Sequence, residues 1–172
     1  MIYMNEKIVP TAMKISKRIE LATRLNLYTD RYSSENYQVM NYGIGGKITP
    51  HLDSRGVRYD QNLTDENTAQ KSTEMLELGG PRIMTFMIYL TSVDVGGSTL
   101  FPQAGISVKP EIGSALFWFN MGPQNNYDSR ISHMGCPVLH GNKWIANKWI
   151  KWLANYRNYP CHIHKKHFSI MN

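Results

Sequence analysis

The sequence predicts a mainly β fold, a double-sheet jelly roll carried on one supporting helix near the N-terminus. Helical periodicity occurs once, at the start, and everything from Tyr37 onward reads as short apolar runs separated by turn residues. Over residues 12–27, Ala12, Ile15, Ile19, Ala22 and Leu25 form one stripe, with Lys14, Lys17, Arg18 and Arg24 elsewhere, so this helix is expected to pack against a sheet. Strands are expected at residues 37–42, 48–53, 82–90, 98–101, 106–109, 114–119, 136–139 and 144–152. Gly43, Gly45, Gly46, Gly79, Gly80, Pro81, Gly96, Gly97, Pro110, Gly113, Gly122, Pro123, Gly141 and Asn142 punctuate them. Eight short strands after one helix fit a jelly roll whose mouth can hold a metal and a small ligand. Residues 54–78 are polar and long for a connection, which marks them as a lid or binding loop. Residues 1–172 read as one catalytic-sized domain ending in a polar tail at 161–172.

Composition narrows the function without deciding it. A net charge of +6 fits a polyanionic partner or simply a soluble surface. The basic residues are scattered, apart from Lys165 and Lys166, with no stripe of the kind that grips nucleic acid. No apolar run approaches a membrane span, and residues 1–7 lack the apolar core of a signal peptide, so the chain is expected to be cytosolic or to lack its upstream region. Cys136 and Cys161 can be a disulfide or two reduced thiols, and spacing alone does not choose.

His51 and Asp53 carry the sharpest chemical signal. Residues two apart on a strand share a face, so an imidazole nitrogen and a carboxylate oxygen can reach one point. A third ligand from a distant strand completes the two-His, one-carboxylate set that holds non-haem Fe(II) with open positions. Taken alone, the pair reads more readily as a surface turn after Pro50. His133, His140, His162, His164 and His167 are the candidates for the third ligand. The last three sit in the polar tail and His140 beside a turn, whereas His133 stands just before an expected strand, which favours His133. Lys143 lies among Trp144, Ile145 and Trp149, where an unpaired ammonium is costly to desolvate, and an anionic ligand such as the far carboxylate of a 2-oxo acid removes that cost. Tyr42 and Thr99 can add hydroxyl contacts, although each is otherwise an ordinary strand residue.

Several segments together carry a resemblance. Residues 38–46, His51-Leu52-Asp53, Arg82-Ile83-Met84-Thr85, residues 96–102 and residues 136–144 resemble the catalytic domain of the prolyl 4-hydroxylases, most closely the α subunit of the animal collagen enzyme. The resemblance runs from about residue 14 to residue 161. It implies a double-stranded β-helix, Fe(II), 2-oxoglutarate, O2, and L-ascorbate to rescue over-oxidised iron. By position it implies His51, Asp53 and His133 as iron ligands, and Lys143 as the holder of the distal carboxylate of 2-oxoglutarate, assisted by Tyr42 and Thr99. Arg82 and Trp149 fall where the family meets peptidyl proline, and Cys136 and Cys161 where the collagen enzymes have a disulfide. The substrate implied is a Pro-rich, collagen-like polypeptide, hydroxylated at C4. The location implied is the endoplasmic reticulum lumen, and the partner implied is protein disulfide isomerase or another α-type subunit.

The chain also departs from the family. Ile48 stands where the family usually has a Tyr beside the substrate proline, which bears on substrate preference and leaves iron and cosubstrate binding untouched. The loop at 54–78 is longer than in the collagen enzymes, and their upstream dimerisation and peptide-binding regions have no counterpart here, so the chain is expected to start inside the catalytic domain. A dioxygenase of the same fold with another substrate, or an inactive module that binds Pro-rich peptide, are the competing expectations.

Overall fold

The computed structural model describes residues 1–27, 32–54, 77–122 and 128–158. The loop expected at 54–78, apart from its ends, and the tail from residue 161 lie outside these residues. Helix α1 (Pro10–Thr23) begins with Pro10 in its first turn, where the missing N–H costs nothing. It stops earlier than the expected end at residue 27. Thr23 Oγ1 donates to the Ile19 carbonyl at 2.8 Å and accepts from Leu25 N at 3.3 Å, while Arg24 takes a left-handed φ of 58°. These bonds turn the chain off the helical path, yet Leu25 and Leu27 remain buried. The buried stripe is Ala12, Ser16 and Ile19, whereas Ala22 is exposed. Ser16 belongs in it because its hydroxyl donates to the buried Glu6 carboxylate and lies 2.9 Å from Tyr37 Oη.

Among the described residues eleven strands follow or flank the helix: β1 (Ile2–Met4), β2 (Tyr37–Tyr42), β3 (Ile48–His51), β4 (Arg82–Tyr89), β5 (Val95–Gly96), β6 (Thr99–Phe101), β7 (Ile106–Val108), β8 (Ala115–Phe119), β9 (His133–Gly135), β10 (Val138–His140) and β11 (Lys143–Lys151). One antiparallel sheet has the order β1-β2-β11-β4-β8, a second β3-β9-β6-β7, and β10 pairs with β5. The jelly-roll expectation therefore holds. Strands β1, β5 and β9 were not expected, being two or three residues long, too short to show a period of two. The strand expected at 136–139 begins only at Val138, in β10, because Cys136 and Pro137 lie between β9 and β10 and Pro137 has no N–H for a ladder.

Central strand β11 sorts the side chains. Lys143 pairs with Tyr42, Ile145 with Met40 and Tyr89, Asn147 with Gln38 and Met87, and Trp149 with Thr85. Directly paired residues share a face, so this row looks onto the second sheet and lines the cavity between them. The alternate row, Ala146 and Ile150, packs with Ala12, Ile19, Leu25 and Leu27 under the helix. Lys148 lies in that row too, fully buried, its ammonium bonded to Glu6 and to the Glu35 carbonyl at 2.6 Å. That ion pair ties the N-terminal segment to the back of the sheet, leaving the front for chemistry.

Candidate metal centre and ligand pocket

The register of β3 against β9 places His51 directly opposite His133, with ring centroids 4.3 Å apart. His51 Nδ1 lies 2.8 Å from the Thr49 carbonyl, and His133 Nδ1 lies 3.0 Å from the Ile131 carbonyl. A carbonyl only accepts, so each Nδ1 carries a hydrogen and each neutral ring offers its Nε2 lone pair. Strand β3 ends at His51, two residues before the expected limit, and Asp53 crosses toward the larger sheet. Its Oδ2 accepts from Thr85 Oγ1 at 2.7 Å and from Trp149 Nε1 at 3.0 Å, and its carbonyl accepts from Arg82 at 3.2 Å. His51 Nε2 lies 3.4 Å from Asp53 Oδ1, and His133 Nε2 lies 3.8 Å from Oδ2. One donor atom from each residue falls within 4.8 Å of the others, a spacing that can hold a metal ion. Two imidazoles and a carboxylate are the set that suits Fe(II) with open positions.

The electrostatics suit a cation. Burial alone would raise the Asp53 carboxyl, but His51, His133 and the Trp149 and Thr85 donors together hold it down at about 2. The Asp53 carboxylate lifts the His51 imidazole above its ordinary value against the effect of burial. Burial pushes His133 down, with Asp53 opposing, so this ring stays a neutral ligand.

The other end of the cavity, about 270 Å³ in volume, is built differently. Lys143 is 3% exposed, and its Nζ has a long hydrogen bond of 3.3 Å to Thr99 Oγ1. Tyr89 Oη donates to that same Oγ1 at 2.8 Å. Lys143 Nζ lies 5.9 Å from the Tyr42 ring centroid and 5.7 Å from that of Tyr89. Among the described residues no carboxylate comes within ion-pair distance of it. Burial pushes the ammonium down to about 8, with neighbouring Cys136 opposing. Burial raises both the Tyr42 and Tyr89 phenols, which keeps them neutral. Gly135 keeps the space beside the ammonium open, since a Cβ there would stand 3.9 Å from Lys143 Nζ and 3.0 Å from Ile48 Cγ2. Among the described residues Trp118 Nε1 and Asn147 Oδ1 are buried without a partner, and both residues line the cavity. A buried unpaired cation, a free N–H donor and an open volume fit a small dianion such as 2-oxoglutarate.

The remaining expected site residues fall as follows. Tyr42 lines the pocket, its hydroxyl turned to Met40 Sδ at 3.6 Å, a weak contact. Arg82 and Trp149, expected to meet the substrate, are also tied to the metal site. The Arg82 guanidinium stacks 3.7 Å over Trp149 and makes two bonds to Glu35, at 2.6 and 2.7 Å. His140 lies exposed, 3.0 Å from Asp94, in keeping with a turn residue. Cys136 lines the cavity and forms no disulfide with a described residue, while Cys161, His162, His164 and His167 lie outside the described residues. Sequence reasoning missed Thr85, Tyr89, Trp118 and Asn120. Only Thr85 left a trace, as the one polar residue interrupting the apolar run 83–90.

Comparison with known proteins agrees with this geometry. Residues 37–151 match the family model described as the 2OG-Fe(II) oxygenase superfamily. The chain is 40% identical over 153 residues to prolyl 4-hydroxylase subunit alpha-1 of Gallus gallus, covering 88% of this chain and 27% of that protein. It is 37% identical over 159 residues to the human alpha-3 subunit, covering 92% of this chain and 27% of that protein. The chain thus spans about a quarter of the length of these curated relatives. Among solved structures, a viral collagen prolyl hydroxylase from Paramecium Bursaria Chlorella virus-1, in complex with 2OG, superposes with a TM-score of 0.60 at 26% identity. That match covers 84% of this chain and 72% of the viral one.

Proposed function

From the premise that this chain belongs to the 2OG-Fe(II) oxygenase superfamily, we propose that it hydroxylates peptidyl proline at C4 in Pro-rich, collagen-like protein. The observation that supports this most is one cavity holding both a two-His, one-carboxylate donor set and a buried cation without a carboxylate partner. His51 Nε2, Asp53 and His133 Nε2 hold Fe(II), and Lys143 with Thr99 and Tyr42 holds the far carboxylate of 2-oxoglutarate. Iron so bound supplies O2 activation and C–H oxidation, with 2-oxoglutarate as the reductant consumed to succinate and CO2. The protein's own share is positional. The Thr49 and Ile131 carbonyls fix the imidazole tautomers, Thr85 and Trp149 fix the carboxylate, and the aromatic rings around Lys143 exclude water from its charge.

Arg82 and Trp149 take a second role as substrate contacts beside Asp53. Resemblance to the animal enzymes further supports L-ascorbate as the reductant of over-oxidised iron and a Cys136–Cys161 disulfide. It likewise supports the lumen of the endoplasmic reticulum as the location, and protein disulfide isomerase or another α-type subunit as the partner. Ile48, which lines the cavity, favours a second reading in which the same fold and cofactors act on a different substrate. Mass spectrometry of a Pro-Pro-Gly repeat peptide incubated with the protein, Fe(II), 2-oxoglutarate and ascorbate separates the readings. Hydroxyproline with matching succinate is expected. Succinate without hydroxyproline would move the assignment to another substrate, and neither product from folded protein would leave a binding module.

A further inference from the structure

Asp53 Oδ2 is fully occupied by the protein. Thr85 Oγ1 donates to it at 2.7 Å and Trp149 Nε1 at 3.0 Å. Behind Thr85 stands Asn120, fully buried at the end of β8, its backbone N–H bonded to the Ile83 carbonyl at 2.8 Å. Asn120 Nδ2 lies 2.9 Å from Thr85 Oγ1. The direction of this chain follows from chemistry. A carboxylate only accepts, so the Thr85 hydroxyl must spend its one hydrogen on Asp53. The group facing Thr85 must then be a donor, which makes it the amide NH2 and not the amide oxygen. Asn120 Oδ1 is left buried without a partner among the described residues, a cost that the donor side has to offset.

We infer that Asn120, acting through Thr85, is a positioning residue that dedicates Asp53 Oδ2 to the protein and leaves only Oδ1 for the metal. Oδ1 is the oxygen next to His51 Nε2, at 3.4 Å, while Oδ2, already holding two donors, lies 3.8 Å from His133 Nε2. The inference rests on the metal-site reading given above. Its consequence concerns coordination number. A carboxylate held to one oxygen gives a facial set of three protein ligands, and an octahedral ion keeps three open positions. A chelating 2-oxo acid would take two of these and leave the third for O2. A carboxylate free to bind through both oxygens would fill that last position.

The test uses Co(II), an ion whose visible spectrum reports coordination number, with affinity measured by calorimetry on the full chain. Thr85→Val removes the hydroxyl and should weaken Co(II) binding about 10- to 100-fold, the range seen when partners of metal ligands are lost. Asn120→Ala should weaken it in the same direction and by less, with a change in the Co(II) spectrum, and Thr85→Ser should restore both readouts. A role confined to core packing would lower the melting temperature and leave Co(II) affinity and spectrum unchanged, and that result overturns the inference. If Thr85→Val does not fold, Trp149→Phe removes the other donor to the same oxygen and carries the same expectation. Wild-type protein that binds no Co(II) overturns the metal-site reading itself, a failure distinct from variants that bind as wild type does.

Discussion

The two ends of one cavity are built on opposite principles. At the metal end each ligand is held by the protein, the two Nδ1–H groups by carbonyls and Asp53 Oδ2 by two donors, leaving only the atoms that face the ion. At the other end Lys143 is as deeply buried but, among the described residues, is met by a single long bond to Thr99. Saturated hydrogen bonding fixes geometry before anything binds, which is what an ion with strict ligand directions needs. An unsatisfied buried charge stores the desolvation cost of a lysine until an anion arrives to relieve it. Under the proposed function, the contrast separates a permanent centre from a site for a molecule consumed at every turnover.

The largest break in this contrast comes at the metal end. His133→Ala should abolish Fe(II) binding and succinate formation together, because Asp53 and His51 alone leave the set incomplete; full metal binding in that variant would remove His133 from the site. Next comes the stability of the Lys143 end. Lys143→Met should stabilise the ligand-free protein at pH 7 by about 3 kcal/mol, since it removes a buried charge whose ammonium is pushed down to about 8. The sign follows from linkage. Above pH 8 the folded protein sheds this proton while the unfolded chain keeps it, so wild-type stability rises with pH from there into the ordinary lysine range and the advantage of Lys143→Met shrinks. Urea melts at pH 7 and pH 9.5 check both statements. The smallest effect is Tyr89→Phe, which deletes the 2.8 Å bond to Thr99 and should cost about 1 kcal/mol with a few-fold weaker 2-oxoglutarate binding. No change in either quantity would mean that Tyr89 has no part in holding Thr99.

How much of this was legible depended on whether a signal lies along the chain or across it. The helix and eight strand regions follow from local periodicity, but the helix end at Thr23 does not, because it is set by side-chain bonds through Thr23 and Glu20. His51 and Asp53 were legible from a spacing of two on an expected strand, and Lys143 because an ammonium among apolar residues demands a reason. His133 was legible only as the best placed of several histidines, and its short strand was not legible at all. Asn120 and Tyr89 carried no local mark. Each gains its role from register, Tyr89 by lying opposite Ile145 beside Lys143, and Asn120 by standing one residue past β8, where Phe119 pairs with Met84. Arg82 was read as a substrate contact, but its bond to the Asp53 carbonyl and its stacking on Trp149 appear only when β4 and β11 are side by side.

The most direct test is an anaerobic calorimetric titration of 2-oxoglutarate into Fe(II)-loaded wild-type protein and Lys143→Met, with Fe(II) affinity measured in both. The account predicts one-to-one binding to wild type and binding at least about tenfold weaker to Lys143→Met, in line with the loss of a charge-assisted pair, with Fe(II) affinity the same in each. Equal affinity for 2-oxoglutarate in the two proteins, or a loss of Fe(II) along with it, would contradict the division of the cavity into a metal end and an anion end.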